Sequence, residues 1–115
     1  MIEKIEKFQD YQNYTNCTAI YPKENMGGLD YVVLGLTGEA GEIANKVKKI
    51  IRDDSGIITN EKRTQILDEL GDVLWYAAQI CEVLGGELNE VATVNVNKLL
   101  ARKEKNTIQG SGDSR

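Results

Sequence analysis

At 115 residues and 12.8 kDa the chain makes one ordinary domain, long enough to bury a core without metal or disulfide staples. Hydrophobic residues make up 41% and charged residues 28%, a soluble, globular balance. A net charge of −4 and a pI near 4.9 argue against stable nucleic-acid binding, which needs a basic footprint.

Apolar residues recur at helical spacing almost everywhere, β-branched runs are few, and Pro22 is the only proline. A first helix is expected from Glu3 to Ala19, with Ile5, Phe8, Tyr11 or Gln12, and Thr15 near one face. Loop chemistry follows at Tyr21-Pro22-Lys23-Glu24-Asn25-Met26-Gly27-Gly28. A second helix runs from Leu29 to Arg52 and ends in the turn residues Asp53-Asp54-Ser55-Gly56. Ile57 and Ile58 fall in the connection. Thr59 or Asn60 then caps a third helix from Glu61 to Leu84, which stops at Gly85-Gly86. A fourth helix runs from Glu87 to Lys105. Residues 1–106 therefore read as a single all-α domain of four main helices in an antiparallel, bundle-like arrangement, and residues 107–115 as a polar, Gly/Ser-rich tail. No apolar run approaches the ~18 residues of a membrane span. The charged N-terminus has no signal-peptide core, so a cytoplasmic location is expected.

The absence of histidine excludes most familiar hydrolytic machinery. Ser-His-Asp and Cys-His catalysis, His-ligated zinc and Glu-x-x-His di-iron bundles all require it. Acid–base chemistry must come from carboxylates, Lys, Tyr, Cys or metal-bound water. Cys17 and Cys81 match no metal spacing and read as reduced thiols packed as small hydrophobes.

Two carboxylate pairs stand out, Glu39-Ala40-Gly41-Glu42 in the second helix and Glu69-Leu70-Gly71-Asp72 in the third. Residues three apart share a helix face, so each pair is a two-pronged acidic clamp. A short connection makes the two helices antiparallel neighbours, which brings both pairs, each near mid-helix, together. Such pairs are common on solvated surfaces, but here the helical wheel sets them at the core margin. In the second helix Glu39 falls inside the stripe Val32, Leu36, Ile43, Val47 and Ile50, with Glu42 at its edge. Glu69 and Asp72 flank the stripe Ile66, Leu70, Val73, Ala77, Ile80 and Leu84, and Tyr76 lies one turn after Asp72. Four converging carboxylates repel one another unless a cation joins them, and Mg²⁺ suits hard oxygen donors and phosphates. Gly35, Gly38, Gly41 and Gly71 surround the acids, which points to close helix approach or space for a ligand.

Asn95, Lys98 and Arg102 form a polar and basic stripe on the fourth helix, and Lys46 lies one turn beyond Glu42, where it could equally pair with that acid. Acids for metal and cations for phosphate are what a nucleoside triphosphate needs. The third helix is also apolar on its back, at Leu67, Gly71, Leu74, Trp75 and Ala78. A helix apolar on both sides is buried on both sides, so an oligomer is expected, a homodimer or homotetramer whose site could borrow residues from a neighbour.

These residues resemble the MazG-type nucleotide pyrophosphohydrolases of the all-α NTP pyrophosphatase superfamily. The likeness is carried by Gly35-Leu36-Thr37-Gly38-Glu39-Ala40-Gly41-Glu42, then Glu69-Leu70-Gly71-Asp72-Val73-Leu74-Trp75-Tyr76, and a third segment at Asn95-Val96-Asn97-Lys98-Leu99 with Arg102. It covers roughly Phe8 to Arg102, and the tail is similar to that of short bacterial and phage members. The resemblance implies an enzyme that converts (d)NTP and water to (d)NMP and pyrophosphate, in nucleotide-pool sanitation or control. It implies that Glu39, Glu42, Glu69 and Asp72 hold Mg²⁺, for which Mn²⁺ could substitute. Glu39 or Glu42 would orient or deprotonate the water, with Glu39 the first choice. Lys46, Lys98 and Arg102 would hold phosphate, while Tyr76 and Asn95 position substrate. Phe8, Tyr11, Tyr14 and Tyr21 are candidates for base stacking. A dUTP- or dCTP-selective relative and a non-catalytic nucleotide-binding helical oligomer are the alternatives.

Overall fold

Local signals set the helix ends. In a computed structural model describing residues 1–106 and 108, the chain forms four α-helices, α1 (Phe8–Thr15), α2 (Leu29–Asp53), α3 (Asn60–Leu84) and α4 (Leu88–Glu104). Short 3₁₀ turns occupy Asn16–Thr18 and Met26–Gly28. The tail assigned to residues 107–115 lies, apart from Ile108, outside the described residues. Thr59 caps α3, its hydroxyl accepting the Lys62 N–H at 3.2 Å. Gly85 ends the helix with φ 71°, a left-handed conformation that glycine adopts without a Cβ penalty.

The first helix is much shorter than the expected Glu3–Ala19 span. No Ser, Thr, Asp or Asn stands ready to cap a start before Phe8, and Lys7 at the cap position makes no side-chain cap bond. At the other end Thr15 Oγ1 donates to the Gln12 carbonyl at 2.7 Å and Thr18 Oγ1 to the Thr15 carbonyl at 3.2 Å. Those local bonds compete with the α-helical ladder, and the chain tightens into a 3₁₀ turn.

Helix α1 is held to α3 by buried amides more than by an apolar stripe. Gln12 and Gln79 are each 1% exposed. Gln12 Nε2 donates to Glu82 Oε1 (2.9 Å) and to the Gly86 carbonyl (3.0 Å), and its Oε1 accepts the Leu88 N–H at 2.7 Å. Gln79 Nε2 donates to Thr15 Oγ1 (2.8 Å) and Asn16 Oδ1 (2.9 Å), and its Oε1 accepts the Tyr21 hydroxyl at 2.8 Å. A buried amide left unpaired is costly, so the two glutamines fix both the position of α1 and the start of α4. Tyr11 packs beside them on Ala78, Cys81 and Leu88. Cys81 is buried as expected, and burial pushes its thiol above the ordinary value; Cys17, in contrast, is exposed on the 3₁₀ turn.

Most inter-helix packing is between α2 and α3. Their contacts run in opposite directions, with Tyr31 and Gly35 against Tyr76, then Glu39 and Lys46 against Glu69. Among the described elements, helix α4 packs mainly on α1 and α3. The radius of gyration is 17.0 Å, against the about 13 Å usual for a compact domain of this length. Apolar side chains on α2, α3 and α4 are consequently left in solvent, among them Leu34 (72% exposed), Leu67, Leu70 and Val94 (66%). No helix among the described residues is long and apolar enough to cross a membrane.

Candidate active site

The α2–α3 pairing brings both acidic segments to one place. One carboxylate oxygen each from Glu39, Glu69 and Asp72 lies within 4.8 Å of the others. Glu42 is exposed and outside that group, although its charge still acts on Glu39. A hydrogen bond to Glu69 is the largest cause that raises the Glu39 carboxyl from 4.5 to about 7. Burial and the charges of Asp72, Glu69 and Glu42 add to it. Holding a proton on Glu39 lessens the like-charge repulsion, and a cation bound among the acids would favour its loss. Three hard oxygen donors on two packed helices fit a divalent cation of the Mg²⁺ type.

Lys46 reaches the cluster, but through the other helix. Its Nζ stands 3.8 Å from Glu69 Oε1, and no ion pair to Glu42 is formed among the described residues. Tyr76 forms the adjoining wall. Burial first, then the neighbouring Tyr31, Glu39 and Asp72, hold its phenol above the ordinary value. Gly35 lets the helices close here, because a Cβ at that position would overlap the Tyr76 ring. The other three glycines near the acids have no such neighbour among the described residues: a Cβ at Gly38, Gly41 or Gly71 meets none of them within 4 Å.

The α4 residues are placed elsewhere. Asn95 and Lys98 line a groove with Gly86, Glu87, Glu90, Val91 and Val94, and none of them lines the cleft at the acids. Arg102 is buried (5% exposed) one turn further along α4. Of the aromatic residues proposed for stacking, Phe8 lines a different groove beside α4, Tyr14 faces the N-terminal segment and Tyr11 is in the core cluster. Tyr21 reaches the cleft wall through Trp75, at 6.2 Å, and is stacked on Tyr31 at 5.2 Å, while Tyr11 lies near enough to Asp72 for that charge, after burial, to raise its phenol.

The cleft beside the acids is about 300 Å³ and is lined by Thr18, Glu39, Asp72, Trp75 and Tyr76. Trp75 and Thr18 were missing from the sequence reading, which gave Trp75 to the back of the third helix. The signal was there for Trp75, three residues after Asp72 and so one turn along the same side. Thr18 carries no such signal, because a fold contact brings it in: Trp75 Nε1 donates to its hydroxyl at 2.9 Å.

Comparison with known proteins bears on the same helices. The model of the MazG nucleotide pyrophosphohydrolase domain matches residues 29–107, which contain all four acids and the α4 segment. The chain belongs to the MazG nucleotide pyrophosphohydrolase family. It is also 55% identical over 102 residues to the Gene 37 protein of Mycobacterium phage L5, covering 85% of this chain and 90% of that protein. No solved structure matches. Family and acidic cluster together make this MazG domain a nucleoside triphosphate pyrophosphohydrolase, with a site able to hold a divalent metal.

Proposed function

We propose that the catalytic unit is residues 1–106, acting in the cytoplasm on ribo- or deoxynucleoside triphosphates in nucleotide-pool sanitation or control. The observation that carries this reading is the convergence of Glu39, Glu69 and Asp72 from two helices, with Lys46 beside them. Mg²⁺ is the cation that best suits such donors, and when bound it supplies positive charge to phosphate oxygens and to water. Glu39, Glu69 and Asp72 would hold it. Glu42 stands outside the group and one turn from Glu39, which makes it the carboxylate free to orient water toward the α-phosphorus and accept its proton. This shifts the first choice of base from Glu39 to Glu42. Lys46 neutralises charge on the phosphates, and Tyr76 sets the substrate against α2.

A second copy of the chain completes the arrangement. The accessible surface is 8540 Å², whereas a compact monomer of this mass exposes about 6300 Å². The difference exceeds the ~800 Å² that each partner buries in an ordinary specific interface. Leu67, Gly71 and Leu74 share one open face of α3, and Leu34, Gly38 and Gly41 one open face of α2. Homodimer or homotetramer formation covers these faces and brings Asn95 and Lys98 of a neighbour to the phosphates, whereas Arg102, buried in its own chain, is withdrawn from that role.

The test is a product assay over a panel of ribo- and deoxynucleoside triphosphates including dUTP, with and without Mg²⁺, read for pyrophosphate and orthophosphate separately. Pyrophosphate and monophosphate in equal amounts, lost without metal and in Glu42→Ala, are expected. Orthophosphate as product, or no release from any nucleotide, overturns the reading. Sedimentation should give a species larger than the monomer at micromolar concentration; a well-folded monomer there removes the shared site.

A further inference from the structure

Trp75 is the only tryptophan in the chain, and it borders the acidic cluster. Its indole is fixed from three sides. The Nε1–H donates to Thr18 Oγ1 at 2.9 Å, and the Thr18 hydroxyl in turn donates to the Thr15 carbonyl at 3.2 Å. Tyr21 and Tyr76 meet the indole edge-on, at 6.2 Å and 79° and at 5.1 Å and 88°. Tyr21 is itself locked by its bond to buried Gln79 and by its stack on Tyr31. The side chain is therefore pre-set rather than adaptable, and neither neighbour lies parallel to it.

The pattern of donors says what such a wall can recognise. Indole carries one polar group, a donor, and here Thr18 already takes it. What Trp75 offers to the cleft is π surface, without a hydrogen bond to read the edge of a base. We infer that Trp75 is the base-contacting wall of the site and selects by stacking area, favouring purine over pyrimidine nucleotides. This rests on the pyrophosphohydrolase reading, since it places the base beside the acids that hold the phosphate end. Thr18 acts as a positioning residue, holding the indole from the 3₁₀ turn after α1.

The intrinsic fluorescence of Trp75 tests the inference on the unmodified oligomer. The probes are α,β-methylene ATP and α,β-methylene CTP with Mg²⁺, and inorganic pyrophosphate, each also titrated by calorimetry. The purine nucleotide should change the emission and bind about threefold more tightly than the pyrimidine, a part of the roughly tenfold or more that one whole stacked base is worth. Pyrophosphate should leave the emission unchanged. Trp75→Ala should bring the two nucleotide affinities together, and Trp75→Phe should restore most of the gap. In turnover the loss should fall on KM more than on kcat. Calorimetric binding without a base-dependent emission change, or with equal purine and pyrimidine affinities, overturns the inference and leaves the pyrophosphohydrolase reading intact. No nucleotide binding and no hydrolysis overturns both.

Discussion

The acidic centre on α2 and α3 and the basic stripe on α4 were read from the same kind of spacing, yet the chain treats them differently. The acids are brought together by the most extensively packed pair of helices among the described residues, close enough for a hydrogen bond between Glu39 and Glu69. Helix α4 packs on little beyond α1 and the end of α3, leaves Val91, Val94, Val96 and Leu100 in solvent, and lines a groove of its own. One half of the proposed machinery is brought together by the fold of a single chain; the other half lies apart from it, along a groove of its own. An i, i+3 spacing specifies which side chains share a face, and packing decides what that face meets.

That contrast can be broken first at the acids. Asp72→Asn keeps the shape but removes a charged ligand, and pyrophosphate release should fall by about a thousandfold or more while the helical content measured by circular dichroism is retained. Next come the glycines, which separate a closed contact from an open face. Gly35→Ala drives a methyl into the Tyr76 ring and should destabilise the protein by about 1–3 kcal/mol in denaturant titration. Gly71→Ala meets nothing among the described residues. Dilute monomer should therefore gain up to about 1 kcal/mol from helix propensity, and a loss of assembly in sedimentation would mark that face as the interface. A smaller effect is expected at α4, where Lys98→Ala should raise KM about tenfold and change kcat less, consistent with a single charged contact to phosphate.

The smallest effect sharpens the electrostatics of the acidic side alone. Glu39 is raised from 4.5 to about 7 in the folded, metal-free protein. A carboxyl raised on folding contributes stability that is full below its unfolded value and lost as pH rises through the folded one. The Tm of metal-free protein should therefore drop by a few degrees between about pH 5 and pH 8. Glu39→Gln should flatten that slope, and Mg²⁺ should raise Tm most at the alkaline end. A Tm that rises over the same window would show that folding does not raise the Glu39 carboxyl.

Much of the fold was legible because its signals are local. The ends of α2, α3 and α4 fell within one residue of the expected positions, marked by Thr59, Gly85 and the Asp53–Gly56 turn. The first helix was overextended because the bonds that end it, from Thr15 and Thr18 to carbonyls three residues back, leave no trace in hydrophobic periodicity. Of the face expected on that helix, Gln12 and Thr15 are the buried residues, while Ile5 and Phe8 are exposed. At the site, the acids were recognisable and Lys46 was placed beside them, but its partner proved to be Glu69 on the facing helix instead of Glu42 on its own.

The sequence by itself determined the chemistry: no histidine, two carboxylate pairs at helical spacing, and hence hard oxygen donors for a divalent metal on two neighbouring helices. These follow from composition and from a 3.6-residue period, which every short stretch of chain carries within itself. Only the tertiary structure decided that Glu42 stands apart from the other three acids, that Gly35 alone of the glycines near them admits a ring, and that Thr18 grips the indole of Trp75. Those outcomes depend on residues far apart in sequence meeting at distances of a few ångströms, and on buried amides such as Gln79 that fix the meeting by satisfying every donor and acceptor they carry into the interior.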